Sequence, residues 1–491
     1  MHQALLVPEV ILKIFAHVKQ IKDPLYTSTP LYRQCLAALA TTCKTFYEPA
    51  MDFLWADMNS LLPPLGCVTR LHPMIYPSAK KFWSRDIEPL SELERSQFLR
   101  HSGRVRSLYV SSDDDIHLLY FLPFDISVFP NLLSLSWVVV SSRHLHFFLS
   151  PTLRNCYIAI VQPELVQNSI GTRCAALEDL DIVTMGTMAR APHLSEAVRS
   201  CKALKRLQCP PLDSAAWKHL STIPTLLDLS IHQESFSPSP PPKLDTHNLS
   251  FVTFLNVTTL RFCYAPIADI IAVMQHSEFP SLKEFEFITH RLPGAELLPV
   301  LRALSQCKAC HTLENIAISD DDPEVEEPPG NSFSVVRELL CFTQLRSLRL
   351  FIHCSINLDN DLLLEVVSSW PQLRTLSLYD TRHLSPKVTF RGLFAALRRC
   401  PQLHALNIEL DLVNIDIDPK AESFQHTSLI TLGVHDCPAA DDEAIARIIF
   451  AMLPNVRFAS TWSRISQHHE SLQASSNLQD GGAVTDTSEE A

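Results

Sequence analysis

The chain has 491 residues, 46% of them hydrophobic, which is ample material for a large core. Lys and Arg number 41 against 53 Asp and Glu, a formal charge of -12, and this balance argues against a nucleic-acid or anionic-membrane footprint. No apolar run reaches the length of a membrane span, and the opening Met-His-Gln-Ala-Leu-Leu-Val-Pro has neither a basic n-region nor a small-residue cleavage site, so the protein is expected in the cytoplasm, the nucleus or both.

Residues 1–58 read as three short helices. Pro8 suits a first helical turn, and Val10, Ile11, Ile14, Phe15 and Val18 follow at helical spacing. After a polar break from Lys19 to Pro30, a second helix from Leu31 to Lys44 turns Leu36, Leu39, Ala40 and Cys43 inward. A third begins at Pro49 and carries Phe53, Leu54 and Trp55. So small a bundle holds more apolar surface than it can cover, which predicts a partner.

Residues 59–103 form a connector, broken early by Pro63, Pro64, Pro73 and Pro77. Ser91-Glu-Leu-Glu94 then reads as a capping box, opening a helix that runs to about His101 and seals the first strand beyond it.

From 104 to 464 one pattern returns, seen best in Trp370-Pro-Gln-Leu-Arg-Thr-Leu-Ser-Leu-Tyr379. Its first apolar position falls at Val105, Leu132, Leu153, Leu177, Leu204, Leu226, Val257, Leu282, Leu313, Leu345, Leu373, Leu403, Leu429 and Val456. The spacing averages roughly 27 residues, the period of leucine-rich repeats, which this L-x-x-L-x-L phase resembles. The L-x-L portion alternates as a short strand with one buried face, preceded by helices such as Asp359–Ser369, Phe390–Arg399 and Asp441–Leu453. Proline before the strand, as at Pro371 and Pro401, ends the helix. A doubly wound α/β domain also alternates helix and strand, but it keeps no fixed repeat phase. The expected fold is therefore α/β: an N-terminal three-helix segment followed by a curved leucine-rich-repeat solenoid, its parallel strand ladder inside and helices outside. After the strand, where that family often places Asn or Cys, this chain has Asp113, Val140, Val161, Met185, His290, Thr381, Asp411 and Cys437, so uneven repeats are expected.

Side chains alternating with the buried leucines point out of the ladder, and Tyr109, Asp181, Arg261, Glu286, Arg349, Tyr379 and Glu409 are the expected substrate-binding residues of the concave face. Ser237–Lys243 and the acidic Asp320–Pro329 are expected to be solvated loops, and residues 465–491 a disordered tail.

No catalytic chemistry is legible, and no enzyme activity, cofactor or metal is expected. Ten glycines leave little room for a phosphate-cradling loop, and neither a P-loop nor a G-x-S-x-G elbow occurs. Cys307-Lys-Ala-Cys310-His311 fits the c-type haem pattern, but it sits at a helix-to-strand junction where other repeats also place Cys. The fourteen cysteines form no paired framework, and Cys174, Cys201, Cys310 and Cys400 read as buried reduced thiols. His468-His469 lies in the tail without a second ligand pair.

The N-terminal segments Leu5–Phe15, Leu36–Phe46 and Ala50–Trp55 resemble an F-box. With the repeats behind them, the whole is similar to fungal F-box proteins with leucine-rich-repeat-like C-terminal halves. That resemblance implies a non-catalytic substrate receptor of an SCF-type ubiquitin ligase, bound to a Skp1-type adaptor and through it a cullin, with an unidentified protein substrate on the repeats. The adaptor-facing positions carried over are Val7, Pro8, Ile11, Ile14, Phe15, Leu36, Leu39, Cys43 and Trp55. Two departures stand out: Glu9 directly follows Pro8, and the break between the first two helices is long. The alternatives are a repeat scaffold with no ligase link, and a helical cap that merely seals the first repeat.

Overall fold

The computed structural model describes residues 7–20, 31–76, 87–112, 114–120, 127–139, 144–160, 170–184, 191–233, 244, 252–290, 292, 294–321, 335–352, 356–380, 386–418, 424–433, 439–458 and 465–471. The chain divides into two compact units, Met1–Leu226 with Phe236–Lys243, and Leu227–Ser235 with Leu244–Ala491. The repeat phase passes through Leu204, Leu226 and Val257 without interruption.

The first unit opens with α1 (Pro8–Lys19), α2 (Leu31–Thr42) and α3 (Lys44–Ala56). Ile11 and Phe15 meet Leu36 and Ala50 in their centre, and the Phe15 ring lies edge-on to Phe46 and Phe53 at 5.7 and 6.2 Å. The third helix starts at Lys44, not Pro49; Cys43 is extended (φ -159°) and makes the break, while Pro49 lies inside the helix. Phe46 is the physical reason, since its contact with Phe15 holds the first turn against the core.

Asp57–Met58 forms β1, which pairs in parallel with β2 (Ser107–Val110), Met58 opposite Leu108, so the helical segment supplies the first rung of the ladder. Two single-turn helices follow, α4 (Leu62–Leu65) and α5 (His72–Ile75), and then α6 (Glu92–Phe98) opens on the expected capping box. Glu94 there accepts a 2.7 Å hydrogen bond from Arg70, chiefly responsible for holding its carboxyl down to about 2.

The ladder continues through β3 (Ser134–Val138), β4 (Asn155–Ile160), β5 (Asp179–Thr184) and β6 (Arg206–Cys209), with Leu108, Leu135, Cys156, Leu180 and Leu207 in register. Between strands lie α7 (Ile170–Arg173), α8 (Ala191–Ser200) and α9 (Ser214–Ser221), but also 3₁₀ turns at Ile116–Leu119 and Leu145–Phe147. A helix in every repeat had been expected; here a tight turn suffices to bury Leu118, Leu119, Phe147 and Phe148.

The second unit carries β7 (Asp228–His232), β9 (Thr259–Cys263), β11 (Glu284–Thr289), β12 (Asn315–Asp320), β13 (Ser347–Ile352), β14 (Thr375–Asp380), β15 (Ala405–Asn407), β16 (Thr431–Gly433) and β17 (Arg457–Phe458) in one parallel ladder. β8 (Val252–Thr253) and β10 (Ser277–Glu278) pair separately. Its helices are α10 (Ile267–His276), α11 (Gly294–Gln306), α12 (Asn360–Ser369), α13 (Phe390–Arg399) and α14 (Asp442–Met452), the last three capped by Asp359, Thr389 and Asp441.

All fourteen first-position residues, Val105 through Val456, are at most 2% exposed. Each such leucine contributes roughly 1.5–3 kcal/mol by leaving water. A backbone device fixes the phase: the carbonyl of Glu314 accepts from both Arg346 and Ser347 (2.7 and 3.0 Å), and that of Arg346 from both Arg374 and Thr375 (2.7 and 3.0 Å). The same paired acceptance recurs at Arg106, Leu133, Arg154, Thr258, Lys283, Arg374 and His404. Parallel strands with intervening helices and turns at the repeat period make each unit a leucine-rich-repeat array.

The structure shortens the expected tail. Residues 465–471 are helical, with Ile465 and His469 buried and the His469 ring edge-on to Phe458 at 5.1 Å. Residues 472–491 and Ser237–Lys243 lie outside the described residues, as do the post-strand positions Asp113, Val140, Val161, Met185, Thr381 and Cys437. Of the acidic loop, Asp320 and Asp321 are built into the fold: Asp320 accepts the Leu292 N–H at 2.9 Å and Asp321 the Tyr264 hydroxyl at 2.8 Å. Tyr264 has a left-handed backbone (φ 58°), and its ring stacks on His290 at 4.1 Å.

Candidate functional site

Two surfaces hold the residues singled out by the sequence. On the helical segment, the nine positions carried over from the F-box resemblance separate by burial. Ile11, Phe15 and Leu36 are interior, and Leu39, Cys43 and Trp55 half-buried, whereas Val7, Pro8 and Ile14 are exposed. Phe15, 1% exposed, is thus a core residue and not the accessible anchor that the resemblance implied. Sequence reasoning missed three exposed residues, Leu12 on α1, Leu31 at the start of α2 and Tyr47 on α3. A leucine one step off the buried stripe, as Leu12 is from Ile11, was the available signal.

Trp55 faces inward to the array. Its ring stacks on His101 with centroids 4.5 Å apart and planes 25° from parallel. Beside it Arg104 forms ion pairs with Glu48 and Asp52 of α3, and the Arg106 N–H donates to the Ala56 carbonyl at 2.8 Å. The helices are therefore fixed to the segment that leads into β2 by a ring stack, two ion pairs and a backbone bond.

The second surface is the outward side of the ladders. In the first unit Tyr109, Ser136, Tyr157, Asp181 and Gln208 share one row across β2–β6. Tyr109 is 42% exposed, and Asp181 is half-buried with its Oδ1 lacking a hydrogen-bond partner. Burial pushes the Asp181 carboxyl up to about 6.

In the second unit Arg261, Glu286, Ala317, Arg349 and Ser377 share the corresponding row. Arg261 is enclosed by carboxylates: both Asp228 oxygens at 2.9 and 3.0 Å, Glu286 at 3.0 Å and Glu284 at 3.6 Å. Its side chain keeps 33% of its surface exposed. Arg349 is exposed, and Tyr379 stands next to Phe351 with ring centroids 5.9 Å apart. Phe351, 37% exposed, was missed, although an aromatic at an outward position between Leu350 and Ile352 breaks the alternation visibly. Glu409 follows the end of β15, beyond the paired register.

The cysteines lie low. Cys174, Cys201 and Cys400 are buried free thiols, and burial pushes the first two up to about 12 and the third to about 11. Among the described residues no group of three or more His, Cys, Asp and Glu side chains is placed to hold a metal ion, and no helix is long and apolar enough to cross a membrane.

No family model matches the chain, and no curated protein matches it. Among solved structures it is similar to an internalin (inlF) from Listeria monocytogenes, at 14% identity over 68% of this chain and 81% of that one, with a TM-score of 0.35. Toll in the Toll–Spatzle complex of Drosophila matches at 14% identity over 71% of this chain and 45% of that one, TM-score 0.36. TLR13 in its complex with ssRNA13 matches at 12% identity over 76% and 44%, TM-score 0.32.

Proposed function

We propose that the protein is a non-catalytic substrate receptor of an SCF-type ubiquitin ligase. The helices α1–α3 bind a Skp1-type adaptor and through it a cullin, and the outward rows of the repeats hold the protein to be modified. The observation that carries this reading is the exposure of Val7 just before α1, Leu12 and Ile14 on α1 and Leu31 at the start of α2, over a core already filled by Ile11, Phe15 and Leu36. Large side chains left outside a filled core are what a docking partner covers.

The test is capture of purified Skp1-type adaptor by the full-length protein. Micromolar or tighter binding is expected, and L12D with I14D should abolish it while the melting curve is unchanged. A folded protein that captures no adaptor removes the ligase reading. A second reading then stands, an interaction scaffold whose helical segment caps the array, and the pairing of β1 with β2 favours it.

A further inference from the structure

The outward rows of the second unit are chemically polarised. Around Arg261 three carboxylates surround one guanidinium, leaving two negative charges in excess, with Glu284 and Glu286 half-exposed. Two strands further along, β13 presents an exposed cation, Arg349, and an exposed aromatic, Phe351, against which Tyr379 of β14 packs. Neighbouring strands lie about 4.8 Å apart, so the acidic end and the aromatic end are separated by roughly 10 Å between β11 and β13 and roughly 14 Å between β11 and β14. An extended chain advances about 3.3 Å per residue and spans that gap in three or four residues.

We propose that this face binds an extended peptide laid across the strands. A lysine or arginine of the peptide sits over Glu284 and Glu286, and three or four residues away an apolar side chain rests on Phe351 and Tyr379 beside a carboxylate that meets Arg349. This rests on the reading of the outward rows as the recognition surface, and it names the chemistry they select. Charge complementarity identifies the occupant at both ends. Opposite charges at the two ends also fix the direction in which the peptide lies, because the reversed peptide would set its carboxylate against Glu284 and Glu286. The ring pair supplies the desolvated anchor, since aromatic and arginine side chains dominate interface energetics.

The test is selection of a random twelve-residue peptide library, displayed on phage, by the intact protein. The enriched peptides should share a basic residue and an apolar–acidic pair three or four positions apart. A fluorescein-labelled synthetic copy of the most enriched peptide should lose about tenfold or more in affinity to F351A/Y379A, in line with the loss of a central anchor. It should also lose its preference for the basic residue with E284K/E286K, and should prefer lysine to glutamate at its other end with R349E. Circular dichroism and melting of each variant show that the ladder is retained. No enriched peptide, enrichment without the paired pattern, or unchanged affinity for folded F351A/Y379A overturns the proposal. Adaptor capture is measured on the same variants. Peptide selection with no adaptor capture sinks the ligase reading alone, and adaptor capture without peptide selection sinks this one alone.

Discussion

Trp55 of the third helix stacks on His101, which lies in the turn that leads into the second strand of the ladder. Burial, reinforced by the charges of Arg100 and Arg104, holds the His101 imidazole below its ordinary value. The folded state then binds fewer protons than the unfolded chain, so this contact's contribution is present above about pH 6.5 and declines as the pH falls below it. Once the intrinsic pH dependence of amide exchange is divided out, α3 should be less protected at pH 5.5 than at 7.5. H101N should remove most of that difference, and an α3 with equal protection factors at both values would show that the stack does not couple helix to array.

Phe15 and Ile14 are neighbours in sequence with opposite fates. Phe15→Ala empties the centre of the helical segment and should cost about 3–5 kcal/mol. Ile14→Ala should leave the melting temperature nearly unchanged and act only on partner binding. Differential scanning calorimetry separates them; equal destabilisation would mean that α1 is rotated from the orientation described.

Asp181 is a half-buried acid with one oxygen unpartnered. Its raised value near 6 means that the folded state holds a proton the unfolded chain releases, so stability falls as the pH rises from about 4 to about 6. Asp181→Asn should therefore raise the melting temperature at pH 7.5, with the gain fading below about pH 4. A variant that is less stable at pH 7.5 would contradict the assignment.

Gly392 lies on α13 where a Cβ would overlap the Asn360 side-chain oxygen. Asn360 is occupied there, accepting from the Thr389 N–H at 3.0 Å and donating to the Thr389 hydroxyl at 3.1 Å. Alanine ordinarily favours a helix over glycine by about 1 kcal/mol, but at this position Gly392→Ala should destabilise by about 1–3 kcal/mol through overpacking. N360G in the same chain should recover part of the loss in a chemical melt, and a stabilised single variant would disprove the close approach.

The repeat phase was legible because three consecutive positions, such as Leu373, Leu376 and Leu378, must all be buried for a strand to stack, and burial leaves a mark in composition. The cap Ser91 was legible for a similar reason, since a side-chain oxygen must meet free N–H groups within three residues. What stayed hidden depends on contacts between distant residues. Nothing near Arg261 in sequence says that Asp228 and Glu284 will surround it, and nothing in the sequence near Trp55 or His101 says that they will meet. The start of α3 was misplaced because proline is a local signal, whereas the ring of Phe15 that holds the first turn lies far off in the sequence, in α1.

The doubly accepting carbonyls make chain length a quantity that can change only in whole steps. Excising residues 346–373 would bring the N–H groups of Arg374 and Thr375 to the carbonyl of Glu314 and set Leu376 opposite Ile316, reproducing the junction that was removed. Excising residues 346–359 would leave α12 with no strand of its own and the Glu314 carbonyl facing a helix. The first deletion should melt in a single cooperative transition and the second should not fold, so an array of this kind lengthens or shortens by duplication or loss of a full repeat while each surviving junction keeps its bonds.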